Sequence, residues 1–170
     1  MARVLIVAVL LLVAPPTHAG VVGASGEVQM TVRDVKYVRG NYVVTLHGRG
    51  TQRLLPIWIG QSEARAIQMR LSGARAPRPL THDLLETVLS RLKARVVKVE
   101  VDDLRDGTYI GKLTLRGGGG THRIDARPSD LIALAVGAGI PIHVARHVLD
   151  KAGVAPAPAV STPLQKLQGI

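Results

Sequence analysis

From Leu131 to Ile140 the chain carries no charged side chain. Leu131, Leu134, Ala135 and Ala138 recur at helical spacing, while Ile132, Ala133 and Val136 make the opposite side apolar as well. A helix that is apolar all round must be enclosed by the rest of its domain. The segment just before it reads as a helix start: Pro128 suits the first helical position, and Ser129 and Asp130 suit the free amides and positive dipole end of a first turn. Ile124-Asp-Ala-Arg127 leads into that start from a strand. Asp125, Arg127 and Asp130 are therefore expected together at the mouth of a buried helix, where charge is costly.

The core around such a helix is aliphatic. Phe is absent, Trp occurs once and Tyr three times, within an apolar share of 46%. The same scarcity leaves few platforms for stacking bases and argues against a dedicated single-strand binder. A length of 170 residues suits one domain. The net charge of +10 is compatible with polyanionic partners and equally with a basic protein whose charge serves solubility. The densest arginines are Arg65, Arg70, Arg75 and Arg78.

Residues 1–19 read as a secretory signal. Arg3 precedes an apolar run of about eleven residues, too short to span a bilayer, and Thr17-His-Ala19 supplies small residues for cleavage. The expectation is export to a periplasmic or extracellular location, with no stable membrane insertion after cleavage. Cys is absent, which excludes disulfides and thiolate metal sites. Residues 20–27 are a short linker, 28–152 the folded domain and 153–170 a flexible Pro/Ala-rich tail.

Within the domain the sequence repeats weakly. At an offset of 67, Tyr42-Val-Val-Thr-Leu46 lies over Tyr109-Ile-Gly-Lys-Leu113, Ile57 over Ile124, and Ser62-Glu63 over Ser129-Asp130. Strands are expected at Val28–Val38, Tyr42–His47 and Leu54–Ile59, then a helix at Ser62–Leu71. The second set runs Val96–Asp102, Tyr109–Leu115 and His122–Asp125 into the buried helix, with Asp106-Gly107 as a tight hairpin turn. Pro79 opens a further helix to about Lys93, capped near Thr81 or His82, and another runs from about Ala145 to Ala152. The fold class is α+β: a single domain of two duplicated strand-strand-strand-helix units with mixed or antiparallel sheets and additional helices.

The side chains suited to chemistry fall in a few places. Asp125 and Asp130 are carboxylates for a proton or a metal and Arg127 a guanidinium for a phosphate oxygen; they also fit a plain Asp–Arg pair with a helix-start carboxylate. Glu63, the counterpart of Asp130, has no Asp125 or Arg127 equivalents beside it, which favours the second unit as the working one. His82 suits a general base near neutral pH, and Asp83 follows it; both also suit a helix start. Glu100, Asp102, Asp103 and Asp106 read more simply as a solvated strand end than as a metal site. The Gly117–Gly120 run lacks the Lys-Ser/Thr of a phosphate-binding loop, and His122, His143 and His147 are scattered.

Four blocks, Leu55-Pro-Ile-Trp-Ile-Gly-Gln-Ser-Glu-Ala64, Arg78-Pro-Leu-Thr-His-Asp-Leu-Leu85, Asp106-Gly-Thr-Tyr109 and Ile124-Asp-Ala-Arg-Pro-Ser-Asp-Leu-Ile-Ala-Leu-Ala135, resemble the bifunctional nuclease (BFN) domain family over roughly Val28 to Ala152. The resemblance implies an α+β domain, often dimeric, that cleaves both DNA and RNA with little sequence preference; it implies no particular catalytic set. Mg2+ or Mn2+ is the expected cofactor, DNA and RNA the expected partners, and Asp125, Arg127, Asp130, Glu63, His82 and Asp83 the expected site. The rival expectation is a non-catalytic module that uses the same scaffold to hold a polyanion or a protein of the cell envelope.

Overall fold

The structure, a computed structural model, describes residues 26–156. The expected signal and the outer part of the tail lie outside these residues. Element order is β1 (Glu27–Val38), β2 (Asn41–Gly48), β3 (Leu54–Ile59), α1 (Gln61–Ser72), α2 (Thr81–Arg91), β4 (Arg95–Arg105), β5 (Thr108–Gly117), β6 (Gly120–Ala126), α3 (Pro128–Ala138), β7 (Ile142–Ala145) and α4 (Arg146–Ala152). Among the described residues no helix is long and apolar enough to cross a membrane.

All seven strands form one sheet in the order β3-β2-β1-β7-β4-β5-β6. Two antiparallel meanders, β1-β2-β3 and β4-β5-β6, flank β7, which pairs antiparallel with β1 and parallel with β4. The sheet is therefore mixed and the fold α+β. Each meander leads into a helix, giving two strand-strand-strand-helix units. Their first hairpins turn alike: Arg39-Gly40 and Asp106-Gly107 have positive φ at both residues, which matches the twist of the flanking strands.

Strand alternation sorts the two faces. Met30, Val44, Leu46, Leu55, Val99, Val101, Leu113, Ile142 and Val144 face a common core closed by α1, α3 and α4. The uncharged segment behaves as its composition requires: Leu131 to Ala135 are all buried. At about 25 cal/mol per Å² of apolar surface removed from water, this enclosed helix is a large contributor to stability. Gly111 on β5 makes the close packing possible, because a Cβ there would meet the Ala126 carbonyl and the Leu131 side chain.

The sheet also curls. The Tyr109 hydroxyl on β5 donates to the Pro56 carbonyl on β3 at 3.2 Å, although four strands separate β3 from β5 in the sheet order. The curl brings the two units' helices together, and α1 packs on α3. Beyond α4, Leu54 and Val154 exchange backbone hydrogen bonds of 2.8 Å in both directions. Ordered pairing thus reaches two residues into the segment expected to be tail.

Candidate functional site

The starts of three helices meet at one hollow. Ser62, Glu63, Arg65 and Ala66 come from α1, Leu80, Thr81 and His82 from the start of α2, and Arg127 and Asp130 from the start of α3; they enclose about 350 Å³. Free amides and positive dipole ends at helix starts favour anions, here moderated by an acidic residue in each first turn: Glu63, Asp83 and Asp130.

Arg127 is the hub. Its Nε donates to Asp130 Oδ2 at 2.7 Å and one Nη to Asp130 Oδ1 at 3.0 Å, and the same Nη lies 3.0 Å from Glu63 Oε1. Asp130 first, then Glu63, raises the guanidinium pKa above its ordinary value, so the cation is permanent. The other Nη has no hydrogen-bond partner among the described residues, and the side chain is 67% exposed. One edge of a rigid donor fork therefore faces solvent, the geometry that suits a phosphate oxygen. Arg65 adds a second cation with no carboxylate partner among the described residues.

His82 Nε2 lies 3.5 Å from Asp130 Oδ1, with only 12% of its side chain exposed. A carboxylate at this distance can orient an imidazole. The hollow thus combines an imidazole, a carboxylate beside it and a cation open to solvent.

Four of the six expected residues, Glu63, His82, Arg127 and Asp130, gather here; two do not. Asp125 projects from the polar face of the sheet, where it pairs with Lys112 Nζ at 2.7 Å with 73% of its side chain exposed. The chain turns at Ala126 and Arg127 to enter α3, so two residues that alternation alone would keep on one side part company. Asp83 faces away as well: its Oδ2 accepts from the Leu80 amide at 2.8 Å and its Oδ1 from Arg70 at 2.9 Å. The residue before the helix is therefore Leu80, with Thr81 and His82 inside the first turn. Nor do Ser129 and Asp130 cap α3 with their side chains; Asp130 is given to Arg127.

The site is also shared between the units. Glu63 and Asp130 occupy equivalent places in α1 and α3 at the offset of 67 and grip the same arginine, where the sequence favoured the second unit as the working one. Arg65 was legible only as part of a run of arginines, because its approach to Arg127 depends on the packing of α1 against α3. Among the described residues no group of three or more His, Asp or Glu converges to hold a cation. Arg127 fills the space between Glu63 and Asp130, so this donor set as arranged does not fit Mg2+ or Mn2+.

The family model for the bifunctional nuclease domain matches residues 44–157, a span that contains every residue of the hollow. An uncharacterized protein of Mycobacterium tuberculosis is 39% identical over 129 residues, covering 76% of this chain and 77% of that protein. A rice protein (Oryza sativa subsp. indica) named bifunctional nuclease 1 is 28% identical over 118 residues, or 66% of this chain and 36% of the rice protein. With a match over more than half its length and its carboxylate–arginine hub inside that match, the chain belongs to the bifunctional nuclease domain family.

Proposed function

We propose that the chain is a nuclease that hydrolyses phosphodiester bonds of DNA and RNA with little sequence preference, at the hollow formed by the starts of α1, α2 and α3. The observation that carries this reading is the convergence of His82, Asp130 and Arg127 in a chain of this family. A phosphodiester seated there places a non-bridging oxygen against the free edge of Arg127, with Arg65 as a second cation. His82 accepts the proton of the attacking water, held in orientation by Asp130. Water oxygen bonds to phosphorus, one bridging P–O bond breaks, and the imidazolium returns a proton to the leaving oxygen. Glu63 holds Arg127 from the other side. The groups named act on phosphate and water, which every nucleotide offers, and this accounts for low sequence preference.

The likeness of the two units and the pairing of Glu63 with Asp130 support an origin by internal duplication. Export by way of residues 1–19 belongs to the same proposal, and N-terminal sequencing of protein recovered outside the cytoplasm tests it.

The test of the activity is to incubate purified protein with single- and double-stranded DNA and RNA, with chelator and with added Mg2+ or Mn2+, beside His82→Ala and Arg127→Ala. Cleavage that both substitutions abolish is the expected result. Cleavage that chelator abolishes would show that a cation acts at a site other than this donor set as arranged. Salt-sensitive binding without cleavage under any condition would replace the nuclease by a polyanion-binding module.

A further inference from the structure

A short strand between long ones leaves a step in the sheet. β7 has four residues, against 12 in β1 and 11 in β4, and β1 pairs with it only from Glu27 to Met30. From Thr31 onward the flank of β1 turned toward β4 therefore has no strand beside it among the described residues. The last turns of α1 and α3 lie over this step and make it a cleft of about 420 Å³. That is more than the hollow at the helix starts encloses, and it falls in the range of small-molecule sites.

The cleft is apolar for reasons visible in each wall. Met30 and Val32 come from β1, Leu71 from the end of α1, and Val136, Ile140 and Pro141 from the end of α3 and the turn into β7. The polar side chains of Gln29 and Thr31 alternate with Met30 and Val32 and so point to the opposite face of the sheet. Gly139, in the left-handed region at φ 65°, ends α3. The amides of Gly139 and Ile140 bond back to the carbonyls of Val136 and Ala135 at 3.3 and 3.0 Å. Two helix-end carbonyls that would otherwise make this wall polar are thus satisfied within the turn.

Arg49 is the only ionisable residue lining the cleft. Its amide donates to the Gln29 carbonyl at 2.8 Å, which anchors it beside β1, and its side chain has no hydrogen-bond or ion-pair partner among the described residues. Arg70, which lines the hollow between α1 and α2, is by contrast held by Asp83 and Glu86. We propose that the cleft binds a small amphipathic monocarboxylate, its apolar chain against Met30, Val32 and Leu71 and its carboxylate paired with Arg49. One guanidinium matches the two oxygens of one carboxylate, and removal of the chain from water drives it into the cleft. The end of α3 carries the negative pole of its dipole and repels an anion, which directs the acid toward Arg49. α1 and α3, of 12 and 11 residues, begin at the hollow that holds Glu63 and Asp130 and end here, about 15 Å away. Binding of a carboxylate at this end requires no nuclease activity at the other.

The probes are octanoate, octanol and octylamine, alike in chain and different in charge, added to the purified full chain at neutral pH and followed by calorimetry and amide NMR. Octanoate should bind about tenfold more tightly than either of the others, with resonance shifts concentrated at Thr31, Leu71, Gly139 and Ile140. Arg49→Gln should weaken octanoate about tenfold and leave octanol unchanged. Leu71→Asp, at a side chain already 46% exposed, should keep the circular dichroism spectrum and reverse the preference from the acid to the amine. Equal affinity for the three probes, an Arg49→Gln chain that still prefers the acid, or shifts confined to the exposed Leu84 and Leu92 of α2 would overturn the proposal. Failure of the full chain to bind any probe would overturn it too, and leave the cleft to another segment of the chain or to a second copy.

Discussion

The hollow at the helix starts and the polar face of the sheet are built from the same kinds of residue and behave differently. On the sheet, Glu100 lies opposite Lys112 on β5 and His143 on β7, and Lys112 lies opposite Asp125 on β6. Lys98 Nζ bridges Glu27 at 2.8 Å and Glu100 at 3.0 Å, and Arg123 reaches Glu100 at 3.4 Å and Asp102 at 3.1 Å. For Lys98, burial opposes the charged form, but its bonds to Glu27 and Glu100 raise the pKa above the ordinary lysine value. Strand register thus gives the ions of this face partners on neighbouring strands and encloses no space. At the hollow, three separate helices bring the ions together, and Arg127 keeps one edge unpaired and exposed. A paired ladder stabilises; an unpaired edge can receive a ligand.

That contrast is open to attack by substitution. The largest effects belong at the hollow: His82→Ala and Arg127→Ala should each lower the cleavage rate by about 100-fold or more, the scale of losing an acid–base group or a transition-state donor. Asp125→Asn on the ladder should leave the rate within about twofold, because an exposed ion pair contributes little. Steady-state cleavage assays of the three variants decide the matter, and an inactive Asp125→Asn with normal stability would reverse the assignment of the two regions.

Stability should sort the other way. Glu100→Gln, at a carboxylate only 6% exposed, should cost about 1–3 kcal/mol in urea titrations by leaving Lys98 and Arg123 short of a partner, with cleavage unaffected. A smaller loss, about 1 kcal/mol, should follow Asp83→Ala, which removes the acceptor for the Leu80 amide at a helix start. Loss of cleavage out of proportion to unfolding would place Asp83 back in the chemistry.

The smallest effect concerns Asp103, away from both regions. Bonding first to Arg105, then to the Leu104 amide and His147, lowers its pKa from 3.8 to about 2. A depressed carboxyl pKa stabilises the fold above the unfolded value and loses that contribution as pH falls from about 3.8 to about 2. Carboxyl NMR titration of the folded chain should find a midpoint near 2; a midpoint near 4 would mean the bonds to Arg105 and His147 do not persist in solution.

Much of this was legible from local patterning. Alternation and turn residues located the six strands of the two meanders within a few residues, and the absence of charge after Asp130 marked the enclosed helix. Glu63, His82, Arg127 and Asp130 were each readable as helix-start residues with useful chemistry. What the chain order does not encode locally is direction. Asp125 and Arg127 are two apart and were expected on one side, but the backbone leaves the strand between them. Asp83 adjoins His82, yet 100° per residue around a helix turns it toward Arg70. The exposure of Leu84, Leu85, Val88 and Leu92 of α2 was hidden for a related reason: their pattern is that of any helix with one apolar side, and burial is decided by what packs on it.

The place of β7 bears on how the chain comes to be folded as it leaves the ribosome. Of the described strands, the one that joins the two meanders is made last, after both have emerged with one border each, β1 and β4, still lacking a neighbour. Until Ile142–Ala145 slots between them, the nascent protein is two half-sheets with sticky flanks, a form that invites association with other unfinished chains. The four residues of β7 therefore act as the closing stitch of the whole sheet, and a ribosome that stops short of them releases a product prone to clump.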